Sequence, residues 1–452
     1  MLATLEQEPV VNVGVLTEAA RVSMIFSDTC CSNDGRVLAA DTYQAVVETD
    51  GSIALANSYG QITHFGQAVE FTPEAGNTFT LRDVTIGIDF HWQRQEDQTF
   101  AGDLLLRVDA QNKLTVINRV PVETYLTSVI ASEMSATAHP ELLKAHAIIS
   151  RSWLLAQLAP WKTVSARGGQ AQTADEWTRW YDRENHAAFD ICADDHCQRY
   201  QGCGKADTQA RAAIEATRGV VLSHNGELCD ARFSKSCGGF TELFSTAWAD
   251  ADVPYLQAFY DGTDWPAEFR LPLTEEANAV AWIQQMPPAF CCSTDPTILA
   301  KILPSFDQET ANFYRWQVTL EQDELQALLQ RKLGVRFGAI KALEPVERGA
   351  SGRLKRLRIV GTERTLVIGK ELEIRRALSP SHLYSSAFVT TAEAVQNGVP
   401  ARFTLRGAGW GHGVGLCQIG AALMAEHEYS APQILQHYYR GAELFTLYRG
   451  NQ

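Results

Sequence analysis

The sequence predicts a mixed α+β protein that is rich in β-structure, with a short pair of helices and inserted subdomains. Three observations support this fold class. Residues 10–120 contain short alternating segments between turn signals, residues 122–160 change to helical periodicity, and residues 264–376 mix both patterns. No repeat with a period of about 20–50 residues is present, which excludes a solenoid or propeller.

Composition and charge restrict the class of protein. The chain has 452 residues, of which 45% are hydrophobic and 20% charged, as in globular proteins with a large core. The net charge of −14 argues against a nucleic-acid partner or an anionic membrane surface, because both need clustered Lys and Arg. No apolar segment approaches the roughly 20 residues of a membrane span. The first residues, MLATLEQEPVVNVGVL, do not resemble a signal peptide, so we expect a cytoplasmic protein or a leader outside this sequence.

The individual elements follow from periodicity and turn residues. Strands are predicted at VVNVGVL, QAVVETDGSIALA, DVTIGIDF and LLLRVDAQNKLTVINRV, and later at LKRLRIVG and RTLVIGKELEI. Residues 161–205 are poor in aliphatic side chains and are predicted to be irregular. A helix ending at Gly219 precedes a hairpin that turns at Asn225-Gly226, and another helix ends near Gly334.

These patterns suggest four regions. They are an N-terminal β-rich region (1–115), the first part of a core with the His/Cys segment (116–263), an inserted or middle α/β subdomain (264–376), and a C-terminal part of the core with a glycine-rich motif (377–452).

The helix pair over 122–157 contains the first candidate site residue. VETYLTSVIASEM places Tyr125, Val129 and Glu133 on one apolar helical face. A carboxyl group there loses hydration, which favours its protonated form unless a cation pairs with it. A protonated carboxyl group near neutral pH is what a general acid requires. The alternative is a glutamate at a helix end that turns into solvent.

The second helix carries two cations. Pro140 occupies a favoured first helical position, and Lys144 and Arg151 follow seven residues apart, on nearly one face. Cations embedded in an apolar helix are usually paired or functional. The alternative is that their charged ends extend to solvent along buried stems.

The segment RGAGWGHGVGLCQIGAALM has glycine at every second position from 407 to 415. If this run is extended, one face is bare backbone and the other carries Trp410 and His412. Such a run suits a backbone with positive φ or a very close approach to another surface. Tight packing against a neighbouring element and the wall of a functional cleft are both compatible with this pattern.

Cysteine and histidine cluster in HAAFDICADDHCQRYQGC. Four candidate ligands lie between His186 and Cys197 and are of the types that bind tetrahedral zinc. A disulfide between Cys192 and Cys197, or unmodified thiols, are the alternatives. The remaining cysteines show no even spacing, and we expect most of them to be buried, inert thiols.

Several segments in order resemble one family, the stage II sporulation protein D / LytB (SpoIID/LytB, amidase enhancer) family. They are RVPVETYLTSVIASEM with HPELLKAHAIISRSWLLAQ, then FSKSCGGFTELFSTAW, and finally GAGWGHGVGLCQIGAALMA with ILQHYYRGAEL. SGRLKRLRIVG and LYSSAFVT are similar to its middle part. The resemblance spans roughly residues 115–447 and is less clear over the first hundred residues and over 265–310.

The resemblance implies a lytic transglycosylase that acts on peptidoglycan in the cell envelope. Such an enzyme cleaves the MurNAc-GlcNAc bond with the muramoyl C6 hydroxyl as nucleophile and leaves a 1,6-anhydro end. One carboxyl group serves as acid and then base, unlike the two carboxylates of most glycoside hydrolases. The family's catalytic glutamate falls on Glu133. Substrate-binding positions fall on Lys144, Arg151, Ser236, Trp410, His412, Gln418 and Tyr438.

The resemblance also bears on metal and partners. Some members hold zinc near the active site, which selects His186, Cys192 and Cys197 here, with His196 or water as fourth ligand, in a structural role. The chain departs from the family pattern at His146, often Gln, and at Cys417, often Ser. A non-catalytic glycan-binding protein or an enhancer of a cell-wall amidase is the alternative function. A zinc hydrolase is disfavoured because no HExxH motif is present.

Overall fold

The computed structural model describes residues 2–74, 76–87, 93–135, 137–158, 168–181, 186–194, 197–204, 207–303 and 310–450. The predicted class is confirmed, because the described chain combines several sheets with a smaller number of helices. None of the helices in these ranges is long and apolar enough to cross a membrane.

Strands dominate the N-terminal region. They are β1 (Val10–Ala19), β2 (Arg21–Phe26), β3 (Cys30–Ser32), β4 (Val37–Leu38), β5 (Asp41–Val47), β6 (Ile53–Asn57), β7 (Ile62–Phe65), β8 (Ala68–Pro73), β9 (Thr78–Ile86), β10 (Arg94–Ala101), β11 (Asp103–Val108) and β12 (Leu114–Pro121). One sheet has the order β10-β9-β2-β5-β6-β7. All four predicted N-terminal strand segments lie in this region, although residues 88–90 of DVTIGIDF are outside the described residues.

A second sheet packs against the first. Val22, Met24 and Phe26 point inward from alternate positions of β2, as period-two alternation requires. The Phe26 ring lies 5.6 Å from that of Phe71 on β8, which belongs to the other sheet. This second sheet continues through β12 to Pro121, so the strand crosses the predicted boundary at residue 115.

The next elements carry most of the proposed core. They are α1 (Val122–Glu133), α2 (Pro140–Gln157), β13 (Gly169–Gln172), β14 (Glu176–Trp180), β15 (Ile191–Cys192), α3 (Thr208–Ala216), β16 (Val220–His224), β17 (Glu227–Leu228), β18 (Phe233–Ser234) and α4 (Phe244–Ala247). β15 completes the seven-stranded sheet β15-β1-β12-β11-β8-β3-β4. The segment 161–205 was predicted to be irregular, but its described residues (168–181, 186–194 and 197–204) include the short strands β13, β14 and β15.

The remaining elements alternate between strands and helices. They are α5 (Glu276–Gln284), α6 (Pro296–Ile302), β19 (Arg315–Glu321), α7 (Gln322–Leu333), β20 (Ile340–Arg348), β21 (Leu354–Gly361), β22 (Thr365–Gly369), α8 (Glu371–Ala377), β23 (Phe388–Glu393), β24 (Arg402–Ala408), β25 (Leu416–Cys417), α9 (Gln418–Glu426), α10 (Ala431–Tyr438) and β26 (Glu443–Thr446). RTLVIGKELEI was predicted to be extended throughout, but its second half is the start of α8.

Four further sheets connect these regions. Their orders are β13-β14-β22-β21-β20, β17-β16-β26, β18-β25 and β19-β24-β23. β19 from the middle region pairs along its whole length with β24 from the C-terminal region. The predicted middle subdomain and the C-terminal part therefore share a sheet. The predicted hairpin at Asn225-Gly226 is confirmed, with positive φ at both turn residues.

A buried ion pair joins the two core helices. Arg151 on α2 donates through Nε and Nη2 to the two carboxylate oxygens of Glu123 on α1, at 2.9 and 2.6 Å. The same carboxylate accepts from the Gly219 N–H at 3.1 Å and the Tyr448 hydroxyl at 2.6 Å. Arg151 also donates to the Val220 carbonyl at 2.9 Å. This network fastens the start of α1 to α2, to β16 and to the C-terminal segment.

We expect Glu123→Gln to lower the free energy of unfolding by about 3–5 kcal/mol, because it leaves the wholly buried Arg151 cation without its counter-charge. Glu215→Gln is the matched control, since Glu215 pairs with Arg218 at the exposed surface and the expected change is below about 1 kcal/mol. Urea denaturation of both variants measures the difference. Equal losses of stability would contradict a special role for the buried pair.

Candidate functional site

The carboxyl group of Glu133 lies where three parts of the chain meet. Glu133 is the last residue of α1 and is half-buried. Its Oε1 accepts a hydrogen bond from the backbone N–H of Arg199 at 3.4 Å. Just beyond the helix, the Ser135 N–H donates to the Ile302 carbonyl at the end of α6, at 2.9 Å. Among the described residues Glu133 forms no ion pair, unlike Glu123 at the other end of the helix.

The segment 197–201 is fixed along α1 by side chains on that helix. The hydroxyl of Tyr125 donates to Oε1 of Gln198 at 3.1 Å, and its ring stacks on Tyr200 with centroids 4.9 Å apart. The Gln201 N–H donates to the hydroxyl of Ser128 at 3.2 Å. These contacts recur along one helical face and hold the Arg199 N–H against Glu133.

A buried histidine lies behind the same site. His146 on α2 has Nδ1 at 3.2 Å from the hydroxyl of Ser150 and Nε2 at 3.0 Å from Nε2 of Gln418. Burial lowers the pKa of His146 to about 4, the negative charge of Glu133 opposes this change, and Lys235 adds to it. Because an amide nitrogen donates, Nε2 of neutral His146 accepts and Nδ1 carries the proton toward Ser150.

Lys235 belongs to this site although it was not among the predicted residues. It is half-buried, and its positive charge lowers the pKa of His146, whereas the negative charge of Glu133 raises it. Its carbonyl accepts the Ile419 N–H at 3.1 Å, next to Gln418. Its position in FSKSCGG, directly before Ser236, is the signal in the sequence that identifies it.

The glycine-rich run does not form the extended ribbon that strict alternation suggests. β24 ends at Ala408, and Gly409, Gly411, Gly413 and Gly415 then take φ values of 75°, 93°, 76° and 71°. These lie in the left-handed region, where L side chains are strained. The run is a winding loop that forms isolated backbone bridges from Trp410 to Ser236 and from Val414 to Glu242.

The loop winds around one arginine. Arg353 is wholly buried and donates to the carbonyl oxygens of Gly411 at 3.2 Å and Cys237 at 3.1 Å. A Cβ placed at Gly413 would lie 2.5 Å from the guanidinium carbon, and one at Gly409 would lie 2.8 Å from Nη2. The glycine run therefore shows both features expected from its sequence: a backbone with positive φ and a very close approach to another part of the chain.

The two aromatic side chains of the loop have different neighbours. Trp410 is partly exposed and stacks on Tyr384 with centroids 4.1 Å apart. His412 meets Trp248 edge-on at 4.7 Å, and its Nδ1 accepts the Val414 N–H at 3.0 Å. Desolvation and nearby arginines lower the pKa of His412 well below its usual value, so the ring is neutral. The described contacts do not bring His412 to Glu133.

Four predicted substrate-binding residues are corrected by their burial. Arg151, Ser236 and Tyr438 have no exposed surface, and Gln418 is 2% exposed. Arg151 is bound to Glu123, the backbone of Ser236 pairs with Trp410, and Gln418 contacts His146. None of the four can touch a glycan in this structure, so any role they have is indirect.

The remaining predicted cation has a structural partner. Lys144 is half-exposed and forms an ion pair with Glu141 at 2.7 Å. The other oxygen of Glu141 accepts the Ala431 N–H at 2.7 Å, at the start of α10. Glu141 therefore connects α2 to α10.

The predicted metal ligands converge. The ligand atoms of His186, Cys192 and Cys197 all lie within 4.8 Å of one another, and Nε2 of His186 is 3.8 Å from Sγ of Cys197. All three residues are half-buried. His196 lies outside the described residues. Cys197 leads directly into the segment that covers α1, so this triad is next to the Glu133 site.

Comparison with known proteins gives two family matches. The family model described as Stage II sporulation protein matches residues 110–224, and a domain of unknown function, DUF8618, matches residues 242–415. The Stage II sporulation protein D of Bacillus subtilis is 23% identical over 331 residues, which cover 73% of this chain and 75% of the relative. The Amidase enhancer of the same organism is 25% identical over 246 residues, 53% of this chain and 33% of the relative.

The match of residues 110–224 to the Stage II sporulation protein model, together with these similarities, supports the SpoIID/LytB family. An uncharacterized protein of Brachyspira hyodysenteriae, 22% identical over 93% of this chain and 87% of its own length, extends the similarity to the N-terminal strands. The similarity to these proteins supports a function related to the cell wall.

We expect Gly413→Ala to destabilise the protein more than Gly398→Ala. Both positions have φ of 76°, so each variant carries a strain of about 1–2 kcal/mol. Nothing lies within 4 Å of a Cβ at Gly398, whereas one at Gly413 meets Arg353 and adds about 1–3 kcal/mol of overpacking. Thermal and urea unfolding measure both changes. Equal effects would mean that the loop is not packed tightly on Arg353.

The buried state of His146 predicts a specific pH dependence. Its pKa is about 4 in the folded chain against an ordinary value of 6.5, so the unfolded chain takes up a proton first as the pH falls. The contribution of His146 to stability is therefore complete above pH 6.5 and declines toward pH 4, by at most about 1.4 kcal/mol per pH unit. Unfolding measured across this range should be less pH-dependent for His146→Gln. Parallel curves for the two proteins would contradict this assignment.

Proposed function

We propose that this protein is a peptidoglycan lytic transglycosylase in which Glu133 is the acid and base. The observation that carries the proposal is the setting of Glu133, a half-buried carboxyl group at a helix end that forms no ion pair among the described residues. A carboxyl group that is not bound to a cation can hold a proton and then release it. Glu123, on the same helix, is committed to Arg151 and cannot serve in this way.

The proposed reaction uses this one carboxyl group twice. Protonated Glu133 gives its proton to the glycosidic oxygen as the bond from that oxygen to the muramoyl C1 breaks. The resulting carboxylate then takes the proton of the muramoyl C6 hydroxyl, whose oxygen bonds to C1 and closes the 1,6-anhydro ring. The proton removed from C6 restores Glu133 to its initial form, so no water is consumed.

Neighbouring groups in the structure support this cycle. The Arg199 N–H donates to Oε1 of Glu133 and orients the carboxyl group. The half-buried Lys235 places positive charge near the site, which stabilises the carboxylate formed in the first step. Neutral His146 supplies no second charge and fixes Gln418 behind the site. Trp410 and Tyr384 offer a partly exposed aromatic surface that suits the apolar face of a sugar ring.

The proposal also covers where the protein is located and which metal ion it binds. The substrate, peptidoglycan glycan strands, places the protein in the cell envelope. The His186, Cys192 and Cys197 side chains have the ligand types and spacing for a structural zinc ion, which would brace the segment over α1 and take no part in bond cleavage.

The deciding experiment is digestion of purified glycan strands from which stem peptides have been removed. Wild-type protein should release anhydro-muramoyl products, and Glu133→Gln should reduce their rate by about 10²–10⁴-fold or more, because the amide cannot transfer the proton. Glu215→Gln, which alters an exposed glutamate on α3, is the control and should retain wild-type activity. Circular dichroism of each variant checks that the fold is kept.

A second candidate function is a non-catalytic glycan-binding protein that enhances a cell-wall amidase. The similarity to a protein named Amidase enhancer and the exposed aromatic pair favour it as the alternative. Glycan binding without products from the wild-type protein, together with stimulation of an added amidase, would support this function. New reducing ends in place of anhydro ends would identify a hydrolase and contradict both.

A further inference from the structure

Four metal-ligand side chains meet in the interior, apart from the His186 triad. Cys237, Asp261, Cys291 and Cys417 come from four separate segments, and their ligand atoms all lie within 4.8 Å of one another. All four are buried, with at most 2% of any residue exposed. From the sequence, which shows no even spacing of these cysteines, we expected most of them to be buried, inert thiols.

The ligand atoms lie a few tenths of an ångström closer together than around a tetrahedral zinc ion, so small side-chain movements would open the space for one. Sγ of Cys237 lies 3.5 Å from Sγ of Cys291 and 3.1 Å from Oδ2 of Asp261. Zinc bonds of about 2.3 Å to sulfur and about 2.0 Å to oxygen place tetrahedral ligand atoms about 3.5–3.8 Å apart. The sulfur atoms are too far apart for a disulfide, whose S–S bond is about 2.05 Å. A disulfide would join only two cysteines, whereas this cluster contains three cysteines and a carboxylate.

The surroundings donate hydrogen bonds to the cluster as they would to metal-bound thiolates. Sγ of Cys417 accepts the N–H of Cys237 at 3.2 Å and the N–H of Gly420 at 3.4 Å, at the start of α9. The outer oxygen of Asp261, Oδ1, lies 3.0 Å from Nε2 of His437. A second hydrogen-bonding partner on a ligand carboxylate is typical of metal sites.

Two further features point into the cluster. The hydroxyl of Tyr438 is wholly buried and has no hydrogen-bond partner within the described part of the chain. A Cβ at Gly420 would lie 2.4 Å from that hydroxyl, 2.6 Å from Oδ2 of Asp261 and 3.3 Å from Sγ of Cys417. Helix α9 therefore carries no side chain at Gly420, where one would collide with the cluster. The Tyr438 hydroxyl, which has no partner among the described residues, faces the ligands.

We propose that Cys237, Asp261, Cys291 and Cys417 bind one zinc ion in a structural role. Three thiolates favour zinc over the hard cations calcium and magnesium, and no open ligand position remains for a catalytic water. The site carries the same total ligand charge as a four-cysteine zinc site. Its ion would cross-link the segments on either side of the Glu133 site, because Cys237 follows Lys235 and Cys417 precedes Gln418.

The test separates this site from the His186 triad. In the full chain, a Cys192→Ser/Cys197→Ser double variant removes the triad, and we expect it to retain one zinc ion per chain by elemental analysis. X-ray absorption should show three sulfur ligands at about 2.3 Å and one oxygen at about 2.0 Å. Adding Cys291→Ser should remove that zinc, whereas adding Cys229→Ser, a buried thiol outside the cluster, should not.

The X-ray absorption result decides the proposal even if the Cys291→Ser variant fails to fold. A double variant with native circular dichroism that takes up no zinc on titration would overturn the proposal. A coordination shell with two or fewer sulfur atoms, or a non-reduced mass that reveals a disulfide among Cys237, Cys291 and Cys417, would overturn it as well. These outcomes are independent of whether the protein cleaves glycan strands.

Discussion

The packing of the glycine loop around Arg353 is the constraint on which the arrangement of the C-terminal core depends. A wholly buried guanidinium is stable only when its donors are bound, and here carbonyl oxygens of the loop and of Cys237 bind them. Only glycine allows the loop backbone to come this close with positive φ at alternate residues. The same contacts hold the segment that contains Lys235 beside the loop, since Trp410 and Ser236 form a backbone bridge.

The two glutamates of α1 show how one helix serves stability and the proposed chemistry. Glu123, at the start of the helix, accepts hydrogen bonds from Arg151 and from two further donors. These hydrogen bonds hold the helix in place. Glu133 at the end is half-buried and unpaired among the described residues. The bonds of Glu123 fix the start of the helix that ends at Glu133, and a rigid supporting element is what the proposed role of Glu133 requires.

Local patterns predicted the N-terminal strands, the two core helices and the position of Glu133 on the first of them, but not the start of α8 or the short strands β13, β14 and β15. Tyr125 and Val129 form the apolar face with which α1 packs into the core, and both are wholly buried. Long-range pairing was not accessible in the same way. Nothing near Arg151 in the sequence indicates that its partner is Glu123, and the four side chains of the Cys237 cluster come from segments up to 180 residues apart. Alternation of glycines indicated close approach correctly, but not that the partner was an arginine.

The most direct measurement is a crystal structure of the Glu133→Gln variant with a stripped muramoyl-containing tetrasaccharide. The proposed function predicts that the glycosidic oxygen lies within about 3.2 Å of the amide at position 133, with a sugar ring against Trp410. The result that would contradict it is an oligosaccharide bound elsewhere on the surface, with no sugar atom in contact with position 133.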